Sequence, residues 1–149
     1  MSAPTQKNTQ TTRVNSDDLF DEYPGYTNVT FKGKPFTGIG FEIQNGQIIN
    51  ETSYVDGAED GPERSWYPNG QLESVGENKL NRPHGQFKTW YPSGQLKSEG
   101  LVEAGYVIWR KEWDEEGSLI VEDKIEDHSD GLKDLQSAKI WTKRYGSPA

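Results

Sequence analysis

The sequence repeats itself at an interval of 24 residues, and such a chain folds by stacking copies of one small unit that is unstable alone. Trp66-Tyr67-Pro68-Asn69-Gly70-Gln71-Leu72 returns as Trp90-Tyr91-Pro92-Ser93-Gly94-Gln95-Leu96. It returns again, at an offset of 23, as Trp113-Asp114-Glu115-Glu116-Gly117-Ser118-Leu119. Upstream, Ile43-Gln44-Asn45-Gly46-Gln47-Ile48 keeps a turn and the apolar residue after it. Other positions recur in phase: Gly61 precedes Trp66 as Gly85 precedes Trp90, and Gly57 and Gly105 have Asn81 midway between them.

Each unit reads as a hairpin. In Tyr67-Pro68-Asn69-Gly70 the proline presets φ, Asn suits the next position, and Gly can take the left-handed conformation that closes a hairpin with a bulge. The flanks alternate as strands do: Pro62, Arg64 and Trp66 on one face, Glu63, Ser65 and Tyr67 on the other. Leu72 and Leu96 follow their turns at equivalent places, where each can pack beside the Trp of its own hairpin. Trp66, Trp90 and Trp113 recur at one phase and are read as core. A lone hairpin is marginal in water, so the units must pair edge to edge.

The expected fold is therefore all-β, an elongated single-sheet antiparallel meander over residues 23–122. Residues 1–22 are rich in Ser, Thr, Gln and Asn and read as a disordered tail. Residues 123–149 read as an acidic loop, which the sequence opens at Glu122, and a cap. That cap is a short helix with Leu132, Leu135 and Ala138 on one side, or a final strand through Lys139 to Thr142.

Composition agrees and narrows the function. Hydrophobic residues are only 31% and mean hydropathy is −0.94, yet there are five Trp, seven Tyr and 16 Gly, which suits short strands and tight turns. The formal charge of −8 opposes direct contact with nucleic acid or an anionic membrane, because binding there neutralises phosphates with Lys and Arg. The same field steers in a basic protein. No cysteine is present, so no disulfide and no Cys-based metal site can form, and a cytoplasmic setting is expected. The N-terminus carries no signal-type apolar run.

Gly33-Lys34-Pro35-Phe36-Thr37-Gly38, Asn45-Gly46-Gln47, Tyr54-Val55-Asp56-Gly57 and Gly61 to Leu72 together resemble the variant MORN repeat of bacterial YwqK-type antitoxin proteins. Asn81-Arg82-Pro83-His84-Gly85 resembles the family's G-x-x-H-G step, with Asn for the first Gly. The resemblance spans roughly residues 30–120. It implies a single-sheet meander without catalysis, and an immunity protein that binds and silences a cognate secreted toxin. The alternative is a scaffold of MORN type that tethers proteins or, less in keeping with the charge, lipids. Two departures stand out: Trp109 occupies the phase of Gly61 and Gly85, and the third unit is one residue shorter before its turn, which Asp114-Glu115-Glu116 make acidic.

No constellation for catalysis emerges. His84 sits in a loop step of the repeat, His128 has no catalytic neighbour in sequence, and no enzyme activity or cofactor is expected. The candidate partner-binding residues are two acidic clusters and the aromatics beside them. Glu59, Asp60 and Glu63 flank Gly61; Glu112, Asp114, Glu115 and Glu116 surround the third turn; Tyr67, Tyr91 and Trp109 edge the patch. Aromatics inside a charged rim are what protein interfaces use as anchors. The expected partner is a cognate protein toxin with a basic cleft, a nuclease being one candidate.

Overall fold

Turn chemistry sets the architecture. The computed structural model describes residues 11–23, 26–125 and the isolated positions 130, 133, 134 and 136. Strands β1 (Arg13–Asn15), β2 (Phe20–Tyr23), β3 (Tyr26–Phe31) and β4 (Lys34–Pro35) come first. The repeat then supplies β5 (Gly38–Gln44), β6 (Gln47–Val55), β7 (Ala58–Trp66), β8 (Leu72–Lys79), β9 (Arg82–Pro83) and β10 (Gly85–Trp90). It ends with β11 (Leu96–Glu103), β12 (Tyr106–Trp113) and β13 (Leu119–Lys124). From β5 onward neighbouring strands pair antiparallel in chain order, with short β9 attached to β8. This is the expected all-β meander.

Two kinds of turn join the strands. At one end, Asp56-Gly57, Leu80-Asn81 and Ala104-Gly105 have positive φ at both central residues, the type I′ geometry that matches strand twist. That requirement explains why Gly57, Asn81 and Gly105 recur in phase. At the other end the first hairpin also closes through two such residues, Asn45-Gly46, and the three later ones turn through three residues. Tyr67 N–H donates to the Gln71 carbonyl at 2.9 Å, Tyr91 N–H to Gln95 at 2.8 Å, and Asp114 N–H to Ser118 at 2.9 Å. Asp114-Glu115-Glu116-Gly117 thus keeps the turn of its predecessors despite sharing only the glycine.

Next to each three-residue turn a β-bulge falls between Ser65 and Trp66, Thr89 and Trp90, and Glu112 and Trp113. The ladder then resumes with Trp66 opposite Leu72, Trp90 opposite Leu96 and Trp113 opposite Leu119, the pairing the repeat implied. These Trp side chains are half-buried and not core. A single sheet has no second layer to cover them. Among the described residues the buried apolar side chains are Val14, Phe36, Ala58, Val102 and Ile125.

Three further expectations are corrected. Residues 13–22, read as part of a disordered tail, contain β1, a 3₁₀ turn at Ser16–Asp18 and most of β2. β1 pairs parallel to β5, with Val14 buried opposite Gly40, so tertiary pairing orders a segment of little local hydrophobicity. The sheet is also not alone: β2, β3 and β4 form a second, three-stranded one. It joins the large sheet where Val29 N–H donates to the Gly57 carbonyl at 2.8 Å and Gly57 N–H to the Phe36 carbonyl at 2.7 Å. Finally, Glu122, Asp123 and Lys124, read as acidic loop, complete β13. Lys111 pairs with Glu122 at 3.3 Å and Arg110 lies 3.8 Å from Asp123, so cations on β12 recruit the acidic segment. The expected cap over residues 132–145 lies almost wholly outside the described residues.

Candidate functional site: an acidic turn and a carboxylate pair

Strand alternation places Glu59 and Glu63 on one face of β7 and Asp60 on the other. The Asn78 amide, on a residue only 7% exposed, donates to both carboxylates, to Glu59 at 3.2 Å and Glu63 at 2.9 Å. Asn81 locks the start of the strand: its side-chain oxygen accepts from Glu59 N–H at 2.7 Å, and its own N–H donates to the Glu59 carbonyl at 2.9 Å. Asn81, at the phase where Gly57 and Gly105 stand, therefore adds a bond that glycine cannot make. Asp60 accepts from Leu80 N–H at 3.4 Å.

Burial, and then the neighbouring Glu63 charge, raise the Glu59 carboxyl above the ordinary glutamate range. Tyr54 is raised too, by burial first and then by Glu59 and Glu63. The raised Glu59 has a definite consequence for stability. The folded state holds this proton more tightly than the unfolded chain, so the favourable contribution is complete below the ordinary glutamate value and is lost as pH rises through the raised one. Glu59→Gln should therefore melt above the wild type at neutral pH and level with it in acid. Melting temperatures of the two proteins across pH test this, and a gap of the opposite sign would show that the charged form is favoured by Asn78.

At the opposite end of the strands, each tyrosine of the repeat reaches into the next unit. The Tyr67 hydroxyl donates to the Trp90 carbonyl and the Tyr91 hydroxyl to the Trp113 carbonyl, both at 2.9 Å. These carbonyls sit at the bulges, where the ladder is interrupted and a donor is needed. Tyr67 and Tyr91, expected as partner anchors, thus also clip successive hairpins together. In the third unit Asp114 replaces the tyrosine, and its carboxylate accepts from Ser118 N–H at 2.7 Å, closing its own turn.

The third turn surrounds Tyr91 with charge. Burial, and then Glu115, Asp114, Glu116 and Glu112 in turn, push the Tyr91 phenol above its usual value. The Lys97 ammonium lies over the Tyr91 ring, 5.5 Å from its centre. Glu112 is paired with Arg110 at 3.0 Å, whereas Glu115 and Glu116 are exposed and meet no cation among the described residues. Trp109 lies elsewhere, on β12 opposite Leu101 and Lys124, beside a depression of 360 Å³ walled by ion-paired side chains.

The structure thus gathers Tyr91 with Glu112, Asp114, Glu115 and Glu116, and separately gathers Glu59 with Glu63. It does not merge the two groups: β7 and β12 are four strand spacings apart, about 19 Å. Sequence reasoning read Asn81 only as a position of the repeat and missed Asn78, Arg110 and the strand glycines Gly76 and Gly100. The last two were discoverable, because Ser74-Val75-Gly76 returns 24 residues later as Ser98-Glu99-Gly100. No group of three or more His, Asp or Glu side chains suited to a metal ion occurs among the described residues. Nor is any helix among them long and apolar enough to cross a membrane.

The repeated hairpin, with its recurrent turn, bulge and inter-unit tyrosine clip, has a counterpart among known families. Residues 59–77 and 83–103 match the MORN repeat variant. These two MORN-variant repeats cover β7 to β8 and β10 to β11, the regular centre of the large sheet. No curated protein matches the chain. Among solved structures, the crystal structure of accessory secretory protein 1,2 and 3 in Streptococcus pneumoniae is similar, at 14% identity and a TM-score of 0.36. The alignment takes in 88% of this chain and 26% of that one.

Proposed function

We propose that this chain is a non-catalytic scaffold that binds a basic protein, and more specifically that it is a cytoplasmic immunity protein. In that role it binds a cognate secreted bacterial toxin and occludes its active or substrate-binding site. The observation that carries the reading is the acidic third turn, where Glu115 and Glu116 stand exposed and unpaired among the described residues beside Tyr91. A turn held by the backbone bonds of the repeat presents these charges without loop ordering on binding. The resemblance to YwqK-type antitoxins supplies the toxin as the class of partner, and the charge of −8 supplies its sign.

The direct test mixes the purified protein with the product of the neighbouring gene. A stoichiometric complex with loss of toxicity is expected; neither complex nor protection would sink the immunity reading. Reversing Glu115 and Glu116 to Lys should leave the melting temperature unchanged and slow association roughly tenfold at low salt, with the difference shrinking as salt is added. An unaltered rate and salt dependence would reduce the turn to a solvated edge. A lipid-tethering scaffold, the second reading of a MORN array, would instead co-sediment with anionic vesicles.

A further inference from the structure

One face of the large sheet carries a row of residues in which three strands contribute glycine. The register runs Gly40, Thr52, Glu63, Gly76, then Phe87 and Gly100. A glycine inside a strand weakens it, and it is retained where something must lie close above the backbone. Gly40 and Gly100 obey this rule. A Cβ on Gly40 would come within 2.9 Å of the Leu19 and Tyr54 side chains. One on Gly100 would come within 2.5 Å of the Phe87 ring and of the Trp109 carbonyl.

Gly76 does not. The nearest atom to a Cβ there is the Phe87 Cβ at 3.8 Å, an ordinary contact, and a cavity of 200 Å³ opens over it. The repeat shows why. Phe87 folds over Gly100, and the residue 24 positions before Phe87 is Glu63. Its carboxylate is drawn aside to the Asn78 amide at 2.9 Å. A glycine floor is left uncovered, with a carboxylate on one side and a phenyl ring on the other.

We propose that the notch over Gly76 receives one arginine side chain of a basic protein partner. Its volume is below the roughly 300 Å³ at which whole drug-sized ligands are housed, so a single side chain is the fitting occupant. The chemistry selects arginine. Glu63 and nearby Glu59 offer acceptor oxygens and no cation among the described residues pairs with either, while Phe87 offers a ring to a planar guanidinium. This inference rests on the chain being a binder of basic proteins, and it names the pocket and the residue type that such binding uses.

The experiment is an NMR titration of the labelled protein with a hexa-arginine peptide, with hexa-lysine and a neutral peptide as controls. Saturable shifts of the Gly76 and Phe87 amides with hexa-arginine, weaker with hexa-lysine, are expected. Gly76→Thr fills the notch with a strand-favouring residue, and it should weaken binding about tenfold while melting at or above the wild-type temperature. Glu63→Gln, which keeps an acceptor for Asn78, should weaken binding similarly and serves if Gly76→Thr fails to fold. Shifts confined to Glu115 and Glu116, or affinities unchanged in both variants, overturn the notch. If a purified basic partner still binds Gly76→Thr as it does the wild type but loses affinity on reversal of the turn charges, the notch fails and the binding function stands.

Discussion

Gly100→Ala should destabilise the protein by about 3 kcal/mol, whereas Gly76→Ala, at the same phase of the repeat, should be neutral or stabilise it by roughly 0.5–1 kcal/mol. The two glycines are 24 residues apart and follow the same Ser-x motif, so sequence alone gives no reason to separate them. The structure does. At Gly100 the added methyl meets the Trp109 carbonyl at 2.5 Å, and that oxygen belongs to the neighbouring strand and cannot rotate away. It meets the Phe87 ring at the same distance from the other side. Relief requires moving β11 from β12 or expelling the ring, and both disturb paired backbone. At Gly76 the methyl enters open space, and its main effect is to reduce the freedom of the unfolded chain. Urea unfolding of both variants should show a fall in midpoint at unchanged slope for the first and no fall for the second. Equal effects would mean that the phenyl ring does not lie over Gly100 as described.

The contrast marks where sequence legibility ends. Turns were legible because their chemistry is local: Pro68, Gly70 and their repeats specify three-residue hairpins, and Gly57, Asn81 and Gly105 supply the positive φ of the opposite turns. The Trp-to-Leu pairings followed from those turns, since loop length fixes register. A bulge with each hairpin was legible from its glycine, but the register shifts at Ser65/Trp66, Thr89/Trp90 and Glu112/Trp113 were not, because they are a property of two strands. They break strict alternation at the Trp positions, and with it the expectation that Trp66, Trp90 and Trp113 form a core. Nor could local composition reveal that Arg13-Val14-Asn15 would pair with β5, or that Lys111 and Arg110 would draw Glu122 and Asp123 into a strand.

The candidate site was legible in part for the same reason. The acidic third turn is contiguous in sequence, and the structure assembles it around Tyr91. Glu59 and Glu63 are brought together by strand alternation, but Asn78, which joins them, comes from the next strand. The roles of Tyr67 and Tyr91 changed most. Residues read as anchors for a partner first serve the array, each donating to a bulge carbonyl one unit away. The tyrosine clip also explains how the array ends, since Asp114 at the third position closes its own turn and reaches no further unit.

Phe36→Ala should cost about 3–5 kcal/mol, enough to threaten a protein whose total stability is of the order of 5–15 kcal/mol. Phe36 is 3% exposed, and it is the most buried apolar residue among those described. Its ring meets Phe31 edge-on at 6.1 Å and Tyr54 at 5.8 Å, so it contacts the small sheet on one side and the large sheet on the other. Its backbone belongs to the same seam: Phe36 N–H donates to the Val29 carbonyl at 3.1 Å, and its carbonyl accepts from Gly57 N–H at 2.7 Å. Truncation leaves a cavity where the two sheets are packed together, and the main-chain bonds around it cannot refill that space. The loss should therefore be local before it is global. Hydrogen exchange of the Val29, Phe36 and Gly57 amides should accelerate more than that of β8 and β10, where the MORN-variant units pair with each other. Uniform acceleration would make the two sheets a single cooperative unit, and a cost near 1 kcal/mol would mean that the seam is held by its backbone bonds alone.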